Sequence, residues 1–170
     1  MRDGDAKTHM TSDRMGGILV IANRTCPCPV LVDEIARRVN ETPAWVLVVA
    51  PALNSRLRHW VSDLDGAVAQ ARNRVAFAVA ELRERGVSAR GEVGDSNPLL
   101  AIADALAGFP ASEIVIATHP EGQSNWLERG LMEKATARFD LPITHLVSSY
   151  GLGAEGALDT PRLAGGPMAA

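Results

Sequence analysis

Thr118-His119-Pro120-Glu121-Gly122 follows an apolar run at residues 114–117 and precedes a stretch with helical spacing. A strand that leaves its sheet through a polar turn and enters a helix is where α/β proteins present backbone N–H groups to anions and nucleotides. Thr118 and His119 can hydrogen-bond a ligand, and Gly122 lets the backbone come close to one. Ser124 and Asn125, with Arg129 nearby, stand where a helix N-terminus would face the same molecule. Either residue can equally serve only as a helix cap, with Glu128 completing a capping box for Asn125. His119 has the chemistry of a general base, but no neighbouring Ser or paired carboxylate completes a catalytic arrangement. The pattern therefore predicts recognition without catalytic residues.

A second set of reactive groups lies in Thr25-Cys26-Pro27-Cys28-Pro29. A helix N-terminus favours the thiolate, and Cys26, Cys28 and His119 together would give zinc three of its four ligands. Two cysteines separated by one proline do not form a paired zinc signature. A thiol or metal protein is thus an alternative reading, set against two reduced thiols in a rigid loop.

Such groups need a scaffold, and the apolar pattern supplies one. Residues 18–22 form a continuous apolar run, as expected of a strand covered on both faces. Leu31, Ile35 and Val39 recur every four residues and mark the inner face of a helix that Pro29 can start. Residues 45–49 read as a second buried strand, closed by Ala50-Pro51. Val61, Leu64, Val68, Ala71, Val75, Ala78 and Leu82 predict a long helix, capped by Ser62 or Asp63 and followed by a left-handed Gly86. Residues 87–93 read as a third strand, which Arg90 and Glu92 assign to a sheet edge. Asn97-Pro98 starts a helix with Leu99, Ile102 and Leu106 facing inward, and Gly108 should end it. Residues 114–117 make a fourth strand. Residues 125–138, carrying Leu127, Leu131 and Ala135, make a fourth helix, and residues 143–147 a fifth strand in which His145 is expected to be a hydrogen-bonded structural residue.

This alternation predicts an α/β fold, a doubly wound five-stranded parallel sheet with helices on both faces. Ligands of such sheets bind outside the carboxyl ends of the strands, near the point where the strand order reverses. The candidate ligand-binding residues at these exits and the following turn are Asn23, Ala50, Gly94, Thr118, His119, Gly122, Ser124 and Asn125.

The chain has 170 residues, 46% hydrophobic and 22% charged, which fits one domain over residues 18–149. Residues 1–17 and 150–170 lack a burying pattern and are expected to be disordered or flexible tails. A net charge of −3 gives no long-range attraction for nucleic acid or an anionic membrane. No apolar run approaches the roughly 20 residues that span a bilayer. With two cysteines and no apolar core of a signal peptide at the N-terminus, a cytoplasmic location is expected.

Across residues 17–149 the chain resembles the universal stress protein family, which has an adenine nucleotide alpha hydrolase-like fold. The family ends its fourth strand in a Gly-Thr-His-Gly-like turn and continues with the pattern Gly, two residues, Gly, nine residues, Gly, Ser or Thr. Members with the full pattern bind ATP. On this chain the four positions fall at Ala117, Pro120, Gly130 and Leu131, so the spacing is kept and three of the four residue types are changed. Pro120 has no N–H to donate, Leu131 has no hydroxyl, and Glu121 adds negative charge beside a phosphate. The family's usual Asp after the first strand falls at Asn23, and Gly94-Asp95 is similar to its Gly-Asp turn. These matches add Asp95 and Gly130 to the candidate ligand-binding residues. The resemblance implies a homodimer formed near the fifth strand. It also implies a non-catalytic binding or regulatory domain that does not take ATP in the family's manner. The alternative is ATP or another adenine nucleotide held by altered phosphate contacts.

Overall fold

A computed structural model describes residues 16–22, 28–52, 64–118 and 130–148. Five strands and four helices alternate along the chain: β1 (Gly16–Ala22), α1 (Pro29–Glu41), β2 (Ala44–Pro51), α2 (Leu64–Glu84), β3 (Ala89–Gly94), α3 (Pro98–Gly108), β4 (Glu113–Thr118), α4 (Leu131–Arg138) and β5 (Ile143–Val147). The strands form one parallel sheet in the order β3-β2-β1-β4-β5. The chain therefore winds outward from β1 through β2 to β3, returns across the sheet to β4 and ends at β5. The order reverses between β1 and β4.

Alternate side chains of the central strands β1, β2 and β4 enter opposite cores. Ile18, Val20, Val46, Val48 and Val115 pack with Leu31 and Ile35 of α1 and with Ala71, Val75 and Leu82 of α2. Leu19, Ile21, Leu47, Val49, Ile114 and Ile116 pack with Ala101 and Ile102 of α3 and Leu131 and Ala135 of α4. A sheet buried on both faces explains why its central strands read as unbroken apolar runs.

Several local signals work as their chemistry requires. Cys28 is the N-cap position of α1 with Pro29 following it, and Asn97 caps α3 by accepting a hydrogen bond from the Leu99 N–H at 3.0 Å. Gly86 is left-handed after α2, and β3 lies at the sheet edge.

Other bounds differ from expectation. β1 begins at Gly16 rather than residue 18, because Gly16 and Gly17 pair with Ala44 and Trp45. Gly17 is close under Phe109, whose ring a Cβ would meet at 2.9 Å. β2 runs on through Ala50-Pro51 by pairing with Val93 and Gly94, and Trp45 at its start is 50% exposed rather than buried. β3 begins at Ala89, with Val87 buried ahead of it. Gly108 belongs to α3, which ends as Phe109 becomes extended. The largest correction concerns the fourth helix, which starts at Leu131 and not at residue 125. Gly130, at φ 68°, is left-handed and holds the N-cap position. A right-handed helix cannot pass through that geometry, and the expected caps Ser124 and Asn125 lie outside the described residues.

The expected start of α2 at residues 61–63, residues 1–15 of the expected N-terminal tail and the whole expected C-terminal tail lie outside the described residues, while residues 16 and 17 belong to β1 rather than to a tail. Among the described residues no helix is long and apolar enough to cross a membrane.

Candidate ligand-binding site

The carboxyl ends of all five strands and the N-termini of α1, α3 and α4 share one end of the sheet, as parallel pairing with crossover helices demands. At its centre the reversal between β1 and β4 leaves Ala22 beside Ala117 and Thr118 as the last residue of β4. Thr118 is 5% exposed, yet its hydroxyl is 2.6 Å from Nε2 of His145 on β5. Their positions explain the meeting: His145 pairs with Ile116, and Thr118 points to the same sheet face two residues further along. Beside them the Ser148 N–H donates to the Thr118 carbonyl at 2.9 Å. The Cys28 thiol donates to the Ser148 hydroxyl, also at 2.9 Å. One polar chain thus ties the start of α1 to the exits of β4 and β5.

This arrangement gives Cys28 a structural place. The residue is 1% exposed and packs within the core beneath α1. Its thiol faces a hydroxyl, while Cys26 and His119, the other members of the thiol or metal set, lie outside the described residues. Among the described residues no group of three or more His, Cys, Asp and Glu side chains is placed to hold a metal ion.

The remaining candidates divide by position. Ala50 is fully buried in the core facing α1 and α2. Gly94 ends β3 where α3 crosses it, and a Cβ there would come within 2.7 Å of both the Ala101 Cβ and a Val49 methyl. Asp95 accepts hydrogen bonds from the Asn97 N–H at 2.7 Å and the Ser96 hydroxyl at 3.4 Å, shaping the turn into α3. Gly130 is exposed at the start of α4, and Leu131 turns into the core. Asn23, His119, Gly122, Ser124 and Asn125 fall outside the described residues, so the structure brings together Ala50, Gly94, Asp95, Thr118 and Gly130 at one end of the sheet.

Two polar groups at this end are absent from the sequence-derived set. His145 interrupts an apolar strand, and a parallel register with residues 114–118 would have placed it near Thr118. Arg74 lies in the inner stripe of α2 between Ala71 and Val75, and its Nη2 donates to the Pro51 carbonyl at the exit of β2, at 3.4 Å. An arginine within an otherwise apolar stripe was the available signal.

The fold is that of the universal stress proteins. Eighteen chains of solved structures match it. A universal stress protein from Archaeoglobus fulgidus is 18% identical, with a TM-score of 0.56 over 76% of this chain and 92% of that one. The universal stress protein from the same organism in complex with dAMP is 15% identical, with a TM-score of 0.55 over 77% and 96%. A protein of the universal stress protein family from Burkholderia pseudomallei is 14% identical, with a TM-score of 0.58 over 78% and 96%. No protein-family model and no curated protein matches the chain.

Proposed function

We propose that this chain is a non-catalytic binding or regulatory domain of the universal stress protein kind. Its carboxyl-end crevice takes an adenine nucleoside or nucleoside monophosphate by contacts other than the family's triphosphate cradle. The observation that carries the reading is the polar Thr118–His145 pair across the β4 and β5 exits, next to the strand-order reversal, on a fold whose solved examples include one in complex with dAMP. Three features argue against a triphosphate: Pro120 lacks an N–H, Leu131 is buried where the family pattern has a hydroxyl, and Glu121 would repel phosphate. Gly130 keeps its open, left-handed place at the start of α4. The domain pairs with a second copy through the outer edge of β5.

Calorimetric titration of the full chain with dAMP, AMP and ATP tests the ligand. Saturable binding of dAMP or AMP, with ATP bound no more tightly, is the expected result. Tighter binding of ATP would favour the alternative of an altered but working triphosphate site, and absence of heat with all three would end the nucleotide reading.

A further inference from the structure

At the opposite end of the sheet, roughly 17 Å along β1 from the crevice at about 3.3 Å per residue, lies a cavity of about 770 Å³. It opens between the start of β2, the α2–β3 connection and the α3–β4 connection, and Trp45, Val87, Phe109 and Pro110 supply its apolar walls. Arg83, Arg90 and Ser88 supply its polar side chains, the two arginines its charge. We propose that this amino-end cavity is a second ligand site, one that takes a small planar aromatic carboxylate.

The charges argue for the carboxylate. Arg83 donates through Nε to the Ala89 carbonyl at 3.0 Å, which anchors its guanidinium at the cavity wall. Among the described residues no carboxylate pairs with it, so its terminal nitrogens keep their donors. Arg90 lies with its guanidinium 5.6 Å from the centre of the Phe109 ring. Its carboxylate neighbour Glu92 is 3.9 Å away, with both side chains more than half exposed, a separation and exposure at which an ion pair contributes little. Two guanidinium groups thus border one apolar hollow without close neutralisation, and guanidinium is suited to fork-like bonding of a carboxylate.

The walls argue for the flat apolar body. Trp45 is half exposed at the head of a strand whose following residues are buried. Phe109 is held against the sheet where Gly17 leaves room for its ring. A cavity of this volume, mostly apolar with a few convergent polar groups, has the composition of small-molecule sites in general. An aromatic ring laid on the exposed half of Trp45 would gain stacking as well as burial, while Phe109, 8% exposed, supplies apolar wall rather than a second stacking face.

The proposal stands apart from the nucleotide reading, because the two sites lie at opposite ends of the strands. Its test is titration of the full chain with 2-naphthoate and its neutral isostere 2-naphthylmethanol, by calorimetry and by the Trp45 indole N–H signal, assigned with Trp45→Phe. Saturable naphthoate binding that moves the Trp45 signal is expected, with the alcohol at least about tenfold weaker. Arg83→Gln and Arg90→Gln, both at exposed side chains, should each weaken naphthoate several-fold and together by about tenfold or more. Equal binding of acid and alcohol, unchanged binding in the double arginine variant, displacement of naphthoate by dAMP, or no saturable binding would each overturn the assignment.

Discussion

Thr118 and His145 are single residues on different strands whose side chains meet at 2.6 Å, so their coupling is measurable apart from the rest of the crevice. A double-mutant cycle with Thr118→Val and His145→Ala should give a coupling of about 0.5–1.5 kcal/mol by chemical denaturation, the usual worth of one hydrogen bond. A coupling near zero would mean that the two groups do not bond in solution. At the other end of the sheet, Arg38 reaches from α1 to Glu34, Glu113 and Thr144, while Arg37 bridges Glu34 and Glu41. Hydrogen bonds from Arg37 and then Arg38 hold the Glu34 carboxyl down from 4.5 to about 2. A carboxyl depressed in the folded state takes up protons more readily when unfolded. The stabilisation from Glu34 is therefore fully present above about pH 4.5 and is lost as pH falls toward about 2. Glu34→Gln should consequently flatten the decline in urea midpoint across that interval relative to the parent chain, with the two curves running parallel above it.

At the scale of elements, glycine positions set where helices begin and how closely they pack. Gly130 is left-handed at the start of α4, and a Cβ added there would find no atom nearer than 3.9 Å, so Gly130→Ala should cost only backbone strain, about 1–2 kcal/mol. Gly94→Val meets α3 and β2 instead and should cost about 1–3 kcal/mol through overpacking. Thermal denaturation of the two variants, compared with an exposed control such as Arg72→Ala, checks both. These positions also show what is legible in the sequence. The strands can be read because a parallel sheet covered on both faces demands continuous apolar runs, and α3 because Asn97-Pro98 is a local start signal. The start of α4 cannot be read, because Leu127, Leu131 and Ala135 keep helical spacing on both sides of Gly130 and only its dihedral angle interrupts them. Trp45 reads as buried because within an apolar run nothing local separates a buried indole from one that borders a cavity. The crevice is legible as a location, through strand exits and the reversal of strand order. Its Thr118–His145 contact depends on a cross-strand register that no single segment contains.

At the scale of the whole molecule, the doubly wound order leaves β3 and β5 as the two edges of the sheet, and their sequences differ in kind. β3 carries Arg90 and Glu92 outward, and these charges discourage pairing with another chain. β5 carries Val147, 53% exposed at its end, and lacks a charged residue. Its register fixes which backbone groups are open: Ile114 donates to Pro142, and Ser148 donates to Thr118, so the even-numbered residues of the strand bond inward to β4. In a parallel ladder the alternate residues Ile143, His145 and Val147 then point their N–H and carbonyl groups away from β4. That outward row is the edge through which the proposed homodimer would form. The chain should therefore migrate in size-exclusion chromatography with light scattering at about twice its 18.0 kDa mass. Val147→Pro removes one outward donor and leaves every bond to β4 in place, so it should shift the population to monomer without loss of helical circular dichroism. A parent chain that is monomeric at tens of micromolar would remove the dimer from the proposed function. A dimer undisturbed by the proline would move its interface from the β5 edge to another face.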